Sequence, residues 1–177
     1  RPPDTALGVM VPEAEAAVSA HLRRLDPAAS WGVPAHVTVL YPFAPPRALT
    51  ESTIARLAAL VQSVAAFDCT FVRAAWFGSD VLYLVPEPDE PFRALTRLVA
   101  QEFPDYPPYE GVHAEVVPHL TVGGPGAATS DLQRAETTLL PALPVRTWVD
   151  TVHLMAGSDE PDAWRTVREL PLATRLG

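Results

Sequence analysis

A chain that spells the same strand twice is constrained to fold around the two copies. Ala35-His36-Val37-Thr38-Val39-Leu40 and Pro118-His119-Leu120-Thr121-Val122-Gly123 share the order His, apolar, Thr, apolar. β-Branched and apolar residues dominate both, so both read as strands set among neighbours. Side chains two apart on a strand point the same way. His36 and Thr38 therefore share one face, with imidazole and hydroxyl about 6–7 Å apart by strand rise. Val37 and Val39 turn to the other face. His119 with Thr121, and Leu120 with Val122, repeat the arrangement, so two imidazoles and two hydroxyls can line one cleft. A single His-x-Thr is a weak signal, because a strand histidine is ordinarily a hydrogen-bonded core residue. The weight lies in two copies in matching surroundings.

The surroundings do match. Residues 5–11 predict a strand buried on both faces. Pro12 suits a first helical position and Glu13 and Glu15 suit the first turn. Ala14, Ala17, Val18, Leu22 and Leu25 keep helical spacing until Asp26-Pro27 ends it. The loop Trp31-Gly32-Val33-Pro34 leads into the first motif strand, which Pro42, Pro45 and Pro46 stop. Thr50 caps a helix carrying Ile54, Leu57, Val61 and Ala65. Phe67, Cys69 and Phe71 alternate with Asp68 and Thr70 as a strand with one wet face, and residues 81–85 pair back across Gly78-Ser79-Asp80. There the plan restarts. Strand 82–85 precedes a helix opened by Pro91, with Phe92, Leu95, Val99 and Phe103. A Pro- and Tyr-rich loop, 104–111, leads to the second motif strand. Ser130 caps a helix with Leu132, Ala135 and Leu139, and 145–156 pairs with 163–171 in a last hairpin.

The two motif histidines lie 83 residues apart. The strands near Val9 and Leu84 lie about as far apart, as an internal duplication requires. The expected fold is α+β, one bilobal domain over 1–177 built from halves of roughly 1–80 and 81–177. Each pseudo-symmetric lobe is an antiparallel sheet with helices on its outer face, and the motif strands line a central cleft.

Composition removes several classes. No apolar run approaches a membrane span and no signal-peptide pattern opens the chain, so no membrane partner is expected. The single Cys69 excludes an internal disulfide framework and suits a reducing cytoplasm; its plain reading is a small buried strand residue. A net charge of −8 disfavours non-specific nucleic-acid binding. All 13 basic residues are Arg, so a cationic phosphate contact must come from Arg or protonated His. Arg73, Arg146, Arg165 and Arg168 fall on predicted strands, and the sequence does not choose among them. No glycine-rich phosphate loop follows a strand, which leaves nucleotide-triphosphate and dinucleotide folds without support.

The remaining histidines and aromatics have bland readings. His113 could join His36 and His119 in a three-histidine metal site. Nothing supplies close ligand spacing such as His-x-His, so no metal and no cofactor is expected. His21 lies by the apolar stripe of its helix and His153 among apolar neighbours in a hairpin arm; both read as structural. Tyr41, Trp76, Phe77 and Tyr83 can stack a base beside the cleft, Tyr41 and Phe77 foremost, or simply fill core.

Histidine, with an ordinary pKa of about 6.5, serves as acid or base near neutrality. One neutral imidazole can take a proton from water while a protonated one gives a proton to a leaving oxygen. Threonine hydroxyls can donate to the non-bridging oxygens of a phosphodiester. In-line displacement puts entering and leaving oxygens on opposite sides, as two acid–base groups on opposite lobes require.

His36-Val37-Thr38 and His119-Leu120-Thr121 in a duplicated chain, with Tyr41-Pro42-Phe43 after the first and Pro118 before the second, resemble the 2H phosphoesterase superfamily. Within it the chain is most similar, over essentially its whole length, to bacterial 2′-5′ RNA ligase-like proteins or RNA 2′,3′-cyclic phosphodiesterases. The resemblance implies that His36 and His119 are catalytic and that Thr38 and Thr121 bind phosphate. It implies metal-independent opening of a 2′,3′-cyclic phosphate to a monoester, with His119 as base and His36 as acid, although a two-fold site can exchange these roles with substrate orientation. The expected partner is a small cyclic nucleotide or an RNA terminus, and the expected state a monomer. Two other readings stay open: a nucleotide- or RNA-end-binding module of the same fold without relevant turnover, and an enzyme acting on another small phosphodiester such as a cyclic sugar phosphate.

Overall fold

The computed structural model describes residues 3–112 and 116–174. The first half runs β1 (Asp4–Met10), α1 (Glu15–Leu25), β2 (His36–Leu40), α2 (Glu51–Gln62) and β3 (Phe67–Phe77). The second runs β4 (Val81–Glu87), α3 (Glu90–Glu102), β5 (Leu120–Gly123), α4 (Thr129–Leu139), β6 (Val145–Val149), β7 (Thr151–Gly157) and β8 (Arg165–Pro171). Local chemistry sets most boundaries. Pro12 opens a 3₁₀ turn ahead of α1, and Thr50 Oγ1 accepts from the Thr53 N–H at 3.1 Å to cap α2. Gly78, with φ of 59°, turns the β3–β4 hairpin.

Among the described residues eight strands join one antiparallel sheet in the order β6-β3-β4-β5-β2-β1-β7-β8. Its midline lies between the two motif strands, where Val37 stands opposite Leu120. Reading outward, β2 matches β5, β1 matches β4, β7 matches β3 and β8 matches β6, which is the pseudo-two-fold order that the repeat implies. The α+β class, the helices on one side and the motif strands side by side are all present.

The lobes do not follow the halves of the sequence. β3 sits among the strands of the second half, while β7 and β8 flank β1 of the first. The helices exchange too: α1 packs over β5 and α3 over β2. Thr96 on α3 fixes that crossing, with Oγ1 donating to the Val39 carbonyl at 2.6 Å.

Two local expectations are corrected. The single strand expected over 145–156 is two strands, β6 and β7, parted by Asp150 and placed far apart in the sheet order. The reason is a slip in alternation: Val145, Thr147 and Val149 are buried, then Val152 and Leu154. A period of two cannot hold both sets on one face. The expected Ser130 cap is also displaced, because α4 starts at Thr129 behind Ala128, with no side-chain cap. The wet-faced strand runs to the Gly78 turn, as the expected hairpin requires, and carries Trp76 and Phe77 into the sheet.

One linking residue between β6 and β7 requires the sheet to curl until its ends meet. The seam is hydrogen-bonded: the Leu172 N–H donates to the Asp150 carbonyl at 2.9 Å, and the Ala66 N–H to the Ala173 carbonyl at 2.8 Å. Helices cover the convex face. Val37, Val39, Leu84, Leu120 and Val122 point into that layer with Phe92 and Leu132, all 1% exposed or less. Each such side chain contributes about 1.5–3 kcal/mol by burial. Gly123 lets α1 and α4 press against β5, since a Cβ there would lie 2.5 Å from Leu132 Cδ2 and 2.9 Å from Leu25 Cβ. The concave face is left for His36, Thr38 and Thr121. Among the described residues no helix is long and apolar enough to cross a membrane.

Candidate active site

Alternation in β2 buries Val37 and Val39 and leaves His36 and Thr38 half-exposed on the concave face. Leu120 and Val122 are buried in the same way, with His119 and Thr121 half-exposed. His119 stands one residue ahead of β5. Carrying the Val37–Leu120 register one step each way sets His36 opposite Thr121 and Thr38 opposite His119. Directly opposed residues in an antiparallel pair have Cβ atoms about 4.5–5.5 Å apart. The four side chains thus form a two-by-two array across the midline, with the imidazoles on one diagonal and the hydroxyls on the other.

Both imidazoles are held alike. His36 Nδ1 lies 2.7 Å from the Pro34 carbonyl, and His119 Nδ1 lies 2.7 Å from the Val117 carbonyl. A carbonyl only accepts, so each Nδ1 carries a proton and each neutral ring presents Nε2 as its basic atom. Among the described residues, neither Nε2 and neither threonine hydroxyl has a hydrogen-bond partner. Four polar groups are therefore aimed into one cleft and left for an occupant.

The surroundings of the two rings differ. Burial lowers the pKa of both below 6.5. For His36 the Pro34 hydrogen bond and the Asp26 and Glu15 carboxylates oppose that shift. Glu15 accepts from the Ala35 N–H at 2.6 Å, and Asp26 Oδ1 from the Ala28 N–H at 3.0 Å, which anchors both beside the strand. For His119 the Val117 hydrogen bond opposes burial, while His36 depresses it further. Phe77 and Tyr83 wall this second imidazole. Their rings stack 4.2 Å apart, and their centroids lie 5.1 and 5.5 Å from that of His119.

A cavity of about 230 Å³ opens beside His36 and Thr38, walled by Trp31, Val33, Tyr41, Tyr109, Met155 and Trp164. Of the aromatics singled out in the sequence, Tyr41 lines this cavity and donates to Asp4 at 3.0 Å. Phe77 and Tyr83 border His119. Trp76 turns to the helices, its Nε1 donating to Glu136 at 2.9 Å. Trp31, Trp164 and Tyr109 escape sequence reasoning, although the first lies in the loop leading into the motif strand. Glu15 and Asp26 stand out in the sequence only as helix-terminal residues.

Of the four strand arginines, Arg73 comes nearest. It stands opposite Val85, next to His119 by register, and shares a face with Phe77. Arg168 is drawn to Glu51 on α2 at 3.1 Å. His153 lies opposite Gly8, its Nδ1 3.0 Å from Thr166 Oγ1, and His21 is buried on α1. His113 lies outside the described residues, among which no three His, Cys, Asp or Glu side chains converge to hold a metal ion.

The model of the 2′-5′ RNA ligase superfamily matches residues 11–161. The chain belongs to that superfamily. Among curated proteins none matches it in sequence. Solved structures share its fold at low identity. TT0787 of Thermus thermophilus superposes with a TM-score of 0.66 at 18% identity, covering 98% of this chain and all of that one. LigT of E. coli in complex with 3′-AMP gives 0.61 at 16%, covering 97% and 99%. A protein described as a phosphoesterase gives 0.58 at 15%, covering 98% and 99%. In this member of the 2′-5′ RNA ligase superfamily the two His-x-Thr copies lie at the midline of the sheet.

Proposed function

We propose that the protein is a metal-independent phosphodiesterase that opens 2′,3′-cyclic phosphates of nucleotides or RNA ends, with His36, His119, Thr38 and Thr121 as its reacting and phosphate-holding groups. The observation that carries this reading is the matched pair of Nδ1–carbonyl hydrogen bonds, which aims two Nε2 atoms into one cleft between two unpartnered hydroxyls. Membership in the superfamily supports phosphoester chemistry, and the 3′-AMP bound to LigT supports a nucleotide-sized occupant.

The unequal surroundings support distinct roles. His119, which among the described residues has no carboxylate among the causes of its shift and is walled by two aromatic rings, is suited to stay neutral and take a proton from water through Nε2. As the water oxygen bonds to phosphorus, the bond from phosphorus to one ribose oxygen breaks. His36, propped by Asp26 and Glu15, is suited to carry the proton that this oxygen takes from Nε2. Thr38 and Thr121 donate to the two non-bridging oxygens, where charge builds up. Arg73 is the cation best placed to steady the resulting monoester.

The test is a panel of 2′,3′-cyclic nucleotides and cyclic-phosphate-ended oligonucleotides, with and without chelator, followed by phosphorus NMR. Conversion to monoester that is indifferent to chelator is expected. Saturable binding without product would favour a binding module instead.

A further inference from the structure

Two adjacent arginines stand at the end of α1 with no carboxylate to hold. Arg23-Arg24 is the one Arg-Arg pair in a sequence whose 13 basic residues face 21 acidic ones. Elsewhere that excess of acid is used: Arg56 holds Glu102 at 2.7 Å, Arg93 holds Asp89 at 3.0 Å and Arg168 holds Glu51 at 3.1 Å. Among the described residues Arg23 has no hydrogen-bond or ion-pair partner, and Arg24 has only His21 Nδ1, 3.4 Å from its Nη2. A cation suits the last turn of a helix, but the helix dipole does not explain why both side chains border one cavity.

That cavity, of about 270 Å³, is lined from the end of α1 by Arg23, Arg24 and Asp26, and from the loop after β5 by Pro125, Gly126 and Ala127. The loop is tied to the helix end, with the Gly124 N–H donating to the Leu25 carbonyl at 2.9 Å. A Cβ at Gly124 or Gly126 would meet nothing within 4 Å, so the loop stands open. Among the described residues the Gly126 N–H has no hydrogen-bond partner. Two guanidiniums and a bare amide suit an anion.

The cavity adjoins the reacting centre. Asp26 borders it, and the charge of Asp26 acts on His36. Gly124 follows Thr121 by three residues at the exit of β5. The turn over Pro27–Trp31 parts it from the cavity beside His36, with Ala28 and Trp31 lining that one and Pro27 and Ser30 this one.

We propose that Arg23 and Arg24 hold a second phosphate of the substrate, joined to the 5′ oxygen of the nucleoside whose cyclic phosphate reacts. His36 is assigned to the leaving ribose oxygen, so that nucleoside lies on the His36 side of the cleft. Arg73 stands on the His119 side. Among the described residues no Arg lines the cavity beside His36, so the pair supplies the cations on that side. Asp26 does not cancel it: one carboxylate meets two guanidiniums, and its Oδ1 is taken by the Ala28 N–H. A seat for a single phosphate also fits a net charge that disfavours long nucleic acid. This assignment rests on the reading of the paired imidazoles as the reacting centre.

Three substrates separate the sources of the second phosphate. Adenosine 2′,3′-cyclic phosphate has none, its 5′-phosphorylated form has a terminal monoester, and the dinucleotide ApA with a 2′,3′-cyclic end has an internucleotide diester. A second phosphate should lower KM about tenfold, and the advantage should shrink as salt is raised. Both arginines are exposed, so Arg23→Gln/Arg24→Gln should fold; it should erase the advantage and leave KM for the plain nucleotide in place. An advantage confined to the 5′-phosphorylated nucleotide assigns the seat to a terminal phosphate, and one present in the dinucleotide assigns it to a chain. No advantage in the parent protein, one indifferent to salt, one that survives the double variant, or an equal loss on all three substrates overturns the proposal. Calorimetry with adenosine 3′,5′-bisphosphate and 3′-AMP tests the seat without turnover. The bisphosphate should bind the parent about tenfold tighter than 3′-AMP, and the double variant no tighter. Equal binding of the two by the parent, or none of either, overturns the seat. The expected binding difference with no hydrolysis of any cyclic phosphate overturns the phosphodiesterase reading and leaves the seat standing.

Discussion

Phe77 stands edge-on to His119, ring planes at 90° and centroids 5.1 Å apart. It helps to keep water from an imidazole whose pKa burial has already lowered. In the proposed mechanism His119 acts as the neutral base, so kcat/KM should rise with pH through a value below 6.5. Phe77→Ala admits water to the ring and lets that pKa climb toward its ordinary value. The acid limb of the kcat/KM profile should move to higher pH, with more activity lost at about pH 5.5 than at about pH 7.5. An unmoved limb would separate Phe77 from the titration.

In the proposed mechanism the other limb belongs to His36 as the protonated acid, and activity should fall as pH rises through its pKa. Asp26 helps to hold that pKa up against burial. Asp26→Asn keeps an oxygen for the Ala28 N–H and removes the charge. The alkaline limb should shift to lower pH, while the acid limb assigned to His119 stays in place. Movement of both limbs together would point to a structural disturbance.

Because both imidazoles are half-exposed, their loss should spare the fold. His36→Ala and His119→Ala should each lower kcat by about 10²–10⁴ with thermal midpoints within a few degrees of the parent. Thr38→Val and Thr121→Val keep the β-branched shape and remove the donor. Each should lower kcat by about 10–10², with Thr→Ser restoring most of it. Unchanged turnover in either histidine variant would sink the assignment.

Cys69 is 1% exposed, and burial pushes its thiol pKa up to about 12. The folded chain holds that proton where the unfolded chain releases it. The stability this gives is complete below about pH 9 and is lost as pH rises from there toward 12. At about pH 8 a chromogenic disulfide should react with native protein only as fast as the chain unfolds. Rapid labelling of the native state would contradict the burial.

Much of this architecture was legible because it is written locally. Thr50, Pro12 and the two alternating motif strands carry their own signals, and the repeat set their partnership. What escaped depends on distant contacts. Trp31 and Trp164 share the cavity through a backbone hydrogen bond between residues 133 positions apart, and no periodicity encodes that meeting. The parting of β6 from β7 was visible only as a one-residue slip at Asp150, easily passed over in a run of apolar residues. The acidity around His36 comes from two carboxylates whose positions in sequence mark them as helix-end residues.

The exchange of β3 against β7 and β8 bears on how such a molecule holds together. Neither half of the sequence owns a complete lobe, so either half alone would leave strand edges bare and apolar surface wet. A chain cut within the Gly78 turn would therefore give two pieces that persist only while clasped together.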